Sequence, residues 1–107
     1  MNGVQQPAQG RSAVARADRL EQMRSAQKTA LRASLQTLAH VRHSLAERGH
    51  EEEAIQAVAR IRAAHAGAFE LLQQGNDWTD AILETIVARL DAELSELEER
   101  LASLEPH

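Results

Sequence analysis

A regular apolar stripe runs along the last quarter of the chain. Its members follow one another at alternating steps of four and three residues: Leu83, Val87, Leu90, Leu94, Leu97, Leu101 and Leu104. Side chains at this spacing stay on one side of an α-helix and form the seam of a coiled coil. The pattern therefore predicts a third helix over about 78–104 that packs against another helix, with Asp77 placed to cap it.

Two further helices are predicted upstream, and glycines separate them. No Gly or Pro occurs over 12–48, and apolar residues at helical spacing predict a first helix there, ended by Gly49. A second helix is predicted over about 51–74, ended by Gly75. Three glutamates open that helix, where they favour the positive end of its dipole.

The first residues of the chain have a different composition. Residues 1–11 contain two glycines, one proline and three glutamines, with few large apolar side chains. Such a segment buries too little apolar surface to offset the entropy of ordering it. We therefore expect a disordered N-terminal tail over 1–11 and a single helical domain over 12–107.

Helix lengths restrict how the three helices pack. At about 1.5 Å per residue, the second and third helices reach roughly 35 to 40 Å, whereas the first reaches roughly 55 Å. We predict an all-α fold, either a three-helix bundle or a long first helix packed on an antiparallel coiled-coil hairpin of the other two. Residues 12–23 of the first helix should then overhang the hairpin. Val14, Leu20 and Met23 would have no partner within the monomer.

Composition and charge narrow the class of protein. The 107 residues are 43% hydrophobic, mostly Ala and Leu, and contain no Cys, which excludes disulfides, thiolate metal sites and cysteine nucleophiles. Residues 1–48 hold eight Arg or Lys against three acids, and residues 49–107 hold four against thirteen. No stretch approaches the ~18 apolar residues of a membrane span, and the start lacks an apolar signal region. We expect a cytoplasmic protein, and its Arg-rich composition suggests a bacterial source.

Candidate catalytic and metal-binding groups are few. The serines all lie in helical pattern, with no nucleophile elbow to expose a hydroxyl. His40 and His43 share a helix face and could gather a metal, or could simply stabilise the negative end of the helix. His65 lies on the apolar face of the second helix, as a core residue or a pH-sensitive one. We expect no enzyme activity, no cofactor and no metal.

Two short stretches resemble known families. The turn Gly75–Trp78 with its leucine-rich helix is similar to flagellar-type export chaperones, which implies shielding of a client's apolar helix. Residues 60–80 resemble the helical hairpin of copper-sensing repressors, whose metal-binding cysteine and glutamine correspond here to Trp78 and Glu84, so metal sensing is not implied. Neither resemblance is assigned as family membership. The residues shared with the repressors are Arg60, Ile61, Gly67, Leu71, Leu72, Gly75, Asp77 and Asp80.

Two functions follow as hypotheses. The first is a non-enzymatic helical interaction module, such as a bacterial adaptor, export chaperone or regulator subunit. It would bind a partner helix or another copy of itself. We expect no membrane partner. Its partner-binding residues would be Val14, Leu20, Met23, Trp78, Leu94, Leu97 and Leu101. The alternative is a small nucleic-acid-associated transcriptional regulator that uses the basic first helix. Its contacts would be Arg11, Arg16, Arg19 and Arg24.

Overall fold

The computed structural model describes residues 2–47, 49–75 and 77–104, with side chains from Ala13 onward. Within these residues the chain is all-α, with no strand, as predicted. It forms four helices rather than three: α1 (Asn2–Ser44), α2 (Glu51–Ala64), α3 (Ala66–Gln74) and α4 (Ala81–Leu104).

The first helix differs from its predicted bounds at both ends. It begins at Asn2 instead of about Ser12, so the stretch expected to be a disordered tail has helical backbone from Asn2 on. The glutamines and Ala8 have good helix propensity, whereas Gly3, Pro7 and Gly10 disfavour a helix, so intrinsic propensity does not explain the helical backbone of this stretch. At the other end α1 stops at Ser44 and tightens into a turn that leads to Gly49, whose φ of +94° lies in the left-handed region.

The predicted second helix is interrupted at His65. This residue has φ −116° and ψ 23°, outside the helical range, and separates α2 from α3. Its imidazole Nε2 lies 3.0 Å from the Ser34 hydroxyl of α1, in a part-buried contact. The residues around the break are small, since Ala63, Ala64, Ala66 and Gly67 surround it. Because small side chains make few packing contacts, the local sequence does little to stabilise a continuous helix through His65.

The last helix lies at the centre of the fold, because α4 packs against α1, α2 and α3, and α1 also packs against α2. Its predicted seam is buried at every position except the last, Leu104, which is 54% exposed. The remaining core side chains come from the other three helices. They are Leu31, Leu38 and Val41 of α1, Ala54, Val58 and Ile61 of α2, and Ala68 and Phe69 of α3, with Ile86 of α4 beside the seam.

Asp80, rather than the expected Asp77, caps the last helix. Its Oδ1 accepts hydrogen bonds from the backbone N–H groups of Ile82 and Leu83, each at 3.1 Å, and α4 accordingly begins at Ala81. The other carboxylate oxygen lies 2.7 Å from Lys28 Nζ of α1. The start of α4 is thereby fixed against α1 at the level of Lys28.

Candidate partner-binding surface

The N-terminal part of α1 extends past the rest of the fold. Every side chain over 13–23 is exposed, Arg24 is the first to be half-buried and Leu31 the first to be fully buried. The 43 residues of α1 and the 24 residues of α4 give lengths of roughly 64 and 36 Å. We call residues 13–23 the protruding segment. Its position agrees with the overhang expected from helix lengths.

Three large apolar side chains lie exposed on the protruding segment. Val14 is 62% exposed, Leu20 53% and Met23 66%. Leu20 precedes the buried Leu31 by about three helical turns and so lies on the same face of α1. Val14 and Met23 are separated by about two and a half turns and flank that face on opposite sides. The apolar face of α1 therefore continues beyond the core, with one apolar residue on each flank.

The charged residues of the protruding segment are of both signs. Arg16 and Arg19 are exposed, and so are Asp18 and Glu21 between and beside them. Of the four arginines predicted to contact nucleic acid, Arg24 is half-buried at the edge of the segment. Arg11 lies outside the residues whose side chains are described. The structure thus brings Arg16 and Arg19 to one exposed segment, where acidic groups accompany them.

The second half of the predicted partner site lies inside the single chain, and this part of the prediction is corrected. Leu94 and Leu97 are 0% exposed and Leu101 is 6% exposed, because α4 packs against the other three helices. Trp78 is half-buried against the same core. A seam of this kind buries itself wherever the chain supplies partner helices. Of the residues predicted to bind a partner, only Val14, Leu20 and Met23 are exposed in the described part of the chain.

A charged cluster that the sequence analysis did not identify lies between α2 and α4. Arg62 of α2 donates to Asp91 at 2.6 Å, to Glu98 at 2.5 and 3.2 Å, and to the Ser95 hydroxyl at 3.3 Å. Its guanidinium carbon also lies 4.8 Å from the centre of the Phe69 ring. The hydrogen bonds with Glu98 raise the pKa of Arg62 above its usual value, against the opposing effect of burial. The cluster joins α2 and α3 to α4.

A sequence signal for this cluster does exist. Asp91, Ser95 and Glu98 are four and three residues apart, so they share one face of α4 that borders the seam. Arg62 directly follows the buried Ile61 and so borders the apolar face of α2. Because every polar contact of the cluster is internal, Arg62 holds the fold together and does not present a free cation to a ligand.

The histidines are spread among separate environments. His65 is half-buried at the α2–α3 break, with its ring 6.5 Å from that of Phe69, and burial lowers the pKa of His65. His40 and His50 line a cavity of about 190 Å³ between α1 and α2, and His43 is exposed outside this cavity. The His50 ring nitrogens lie 3.4 Å from Glu53 and 3.5 Å from Glu47. Across the described part of the chain, no three His, Asp or Glu side chains are grouped so that they could hold a metal ion.

Comparisons with protein-family models, with characterised proteins and with solved structures gave no match to this chain. Among the helices as far as they are described, none combines the length and apolarity that crossing a bilayer requires.

Proposed function

We propose that this protein is a non-enzymatic helical interaction module whose protruding segment binds a partner helix. The observation that carries the proposal is the exposure of Val14, Leu20 and Met23 on a helix segment that extends past the packed core. In this interpretation α2, α3 and α4 form an antiparallel hairpin that holds α1 in place. An adaptor, an export chaperone and a regulator subunit would each use such an arrangement.

Physical arguments support a bound state for this segment. A single helical stretch of this length is marginal in water, because most helical stability in proteins comes from packing of an apolar face. Burying an exposed Val, Leu or Met side chain contributes about 1.5 to 3 kcal/mol. Leu20 is more than half exposed, so a partner helix on its face would gain most of that energy for Leu20, while the fold loses none of its own contacts. Val14 and Met23 lie on opposite flanks of that face and would be covered only in part.

The experiment compares three forms of the full chain. Leu20→Asp combined with Met23→Asp places charge on the protruding segment, and Leu104→Asp is the matched control, since Leu104 is 54% exposed at the other end of the bundle. All three should give the same helical circular dichroism and similar melting. We expect the double variant alone to lose association, whether with itself or with a protein captured from lysate. Equal association of all three forms would contradict the proposal.

The alternative function, nucleic-acid binding, has one favourable observation: Arg16 and Arg19 are exposed on the same segment. Each phosphate that an arginine neutralises contributes about 0.9 to the slope of log affinity against log salt. Replacing both with Gln should therefore lower that slope by roughly 2. No binding to DNA or RNA at low salt, or association that survives nuclease treatment, would exclude this alternative.

A further inference from the structure

We infer that the partner of the protruding segment is an amphipathic helix with acidic side chains, which pair with Arg16 and Arg24 on either side of Leu20. This inference rests on the proposed function, because it uses the same segment as the interface. It adds the chemical class of the partner, and it assigns Arg24, one residue past the segment, to the binding surface.

Two arginines lie on either side of Leu20 along α1. Arg16 is four residues before it and Arg24 four residues after it, so the three side chains form one row with a helical turn between neighbours. The row lies on the side of α1 that faces the core further along the helix, because Arg24 precedes the buried Leu31 by seven residues. The row therefore presents one apolar side chain between two cations.

Arg24 differs from its neighbours in burial. It is half-buried, whereas the side chains over 13–23 and 25–27 are exposed. Lys28, one turn further on, lies 2.7 Å from Asp80, but Arg24 forms no hydrogen bond or ion pair with any described residue. A partly desolvated cation without a carboxylate is unfavourable, and a partner that supplies the carboxylate removes this cost. Arg24 is therefore placed to bind an acidic group from outside the chain.

The acidic residues of the protruding segment do not neutralise this row. Asp18 and Glu21 are exposed, and neither forms an ion pair within the described part of the chain. At about 100° of rotation per residue, both lie about 100° or more around the helix from Leu20, whereas the two arginines of the row lie within about 40° of it. A helix that covers Leu20 therefore meets only positive charge, and charge complementarity requires acidic residues on its contact face.

Leu20 decides which kind of acidic partner suits the row. It is 53% exposed between the two arginines, so an occupant that brings only negative charge leaves this side chain in water. An amphipathic helix buries Leu20 under its own apolar stripe, and carboxylates one turn to either side of that contact reach Arg16 and Arg24. A nucleic-acid backbone supplies the charge without the apolar stripe. The helix therefore suits the row better.

Two synthetic helical peptides serve as probes of the full chain. One carries a leucine with a glutamate one turn to either side, and the other carries lysines in place of both glutamates. Fluorescence anisotropy measures the binding of each peptide. We expect the dissociation constant of the lysine peptide to be at least about tenfold higher than that of the glutamate peptide. Charge reversal in the Arg16→Glu, Arg24→Glu variant should invert this preference.

Single variants separate the role of Arg24 from that of general positive charge. Arg24→Gln should raise the dissociation constant of the glutamate peptide about fivefold, the upper range for one exposed ion pair. Arg19→Gln is the matched control, because Arg19 is exposed on the same segment but lies outside the row, and it should change binding less than about twofold. Arg24→Gln should not lower the melting temperature of the free chain. A clear decrease would show that Arg24 serves the fold, and would overturn its assignment.

Equal binding of the two peptides, or binding of neither, would overturn the inference. Binding of duplex DNA, or a dimer in sedimentation, that Arg24→Gln weakens would also overturn it, because the row would then belong to a nucleic acid or to a second copy. The Leu20→Asp, Met23→Asp variant tests the proposed function separately. If this variant loses both peptides while Arg24→Gln changes nothing, the segment is an interface, but its partner does not need to be acidic.

Discussion

Replacing Arg62 tests how the bundle is held together. Arg62→Met keeps an unbranched apolar stem against Phe69 but removes the donors to Asp91, Glu98 and Ser95. We expect the free energy of unfolding to fall. The physical reason is twofold: three interhelical contacts disappear, and two carboxylates that shared one cation are left without it.

The magnitude follows from the exposure of the groups. A hydrogen bond to a charged group contributes about 1.5 to 3 kcal/mol when buried, whereas exposed ion pairs contribute about 0.2 to 1 kcal/mol. The side chains of Arg62, Asp91 and Glu98 are 28%, 30% and 41% exposed, between these limits. We therefore expect a loss of about 1 to 3 kcal/mol in total, which lowers the melting temperature by roughly 5 to 15 °C in a domain of this size.

Urea unfolding of the full chain measures this loss, with Arg60→Met as the matched control. Arg60 lies on the same helix, is exposed and precedes Arg62 by two residues. A double-mutant cycle of Arg62→Met with Glu98→Gln should give a coupling energy of about 1 kcal/mol. If the free energies of unfolding of the Arg62→Met and Arg60→Met variants differ by less than about 0.5 kcal/mol, the cluster does not stabilise the fold and the reasoning fails.

Three further predictions concern stability. Leu94→Ala should lower the free energy of unfolding by about 2 to 5 kcal/mol, whereas Leu20→Ala on the protruding segment should lower that of a monomer by less than about 0.5 kcal/mol. Similar losses for the two variants in urea unfolding would refute the division between the core and the protruding segment. Asp80→Ala should lower the melting temperature and speed hydrogen exchange in the first turn of α4, and unchanged exchange there would argue against the cap. Because burial lowers the pKa of His65, its contribution to stability is fully present above about pH 6.5 and is lost as the pH falls through the folded value. His65→Gln should reduce the loss of stability between pH 7.5 and 5, and an identical pH dependence would contradict this.

The parts of the fold that sequence predicted share one property: they depend on spacing along a single helix or on helix length. The seam from Leu83 to Leu101 was identified because its spacing admits no other structure, and the exposure of Leu20 followed from counting residues. The break at His65 was not predicted, because its Ser34 contact joins residues 31 positions apart. The Arg62 cluster was missed for the same reason, since its acids are 29 and 36 positions away and look like solvated helix surface in sequence.

The sequence also could not show which helix covers the apolar seam of α4. A coiled-coil stripe predicts that some helix will cover it, but the same spacing serves an internal helix and a separate partner equally well. Leu94 and Leu97 were therefore predicted both as core and as partner-binding residues. Only the placement of α1, α2 and α3 around α4 decides between the two.

Hydrogen exchange at two protein concentrations tests the central claim most directly. In the monomer at low concentration, amides over 13–23 should exchange at rates typical of an isolated helix. Amides around Leu31 and Leu38 should exchange far more slowly. Raising the protein concentration, or adding a protein that binds the segment, should slow hydrogen exchange over 13–23 in the unmodified chain. The Leu20→Asp, Met23→Asp variant should show no such slowing. Slow exchange over 13–23 in a proven monomer would show that this segment is already packed, and the assignment of residues 13–23 as the interface would be wrong.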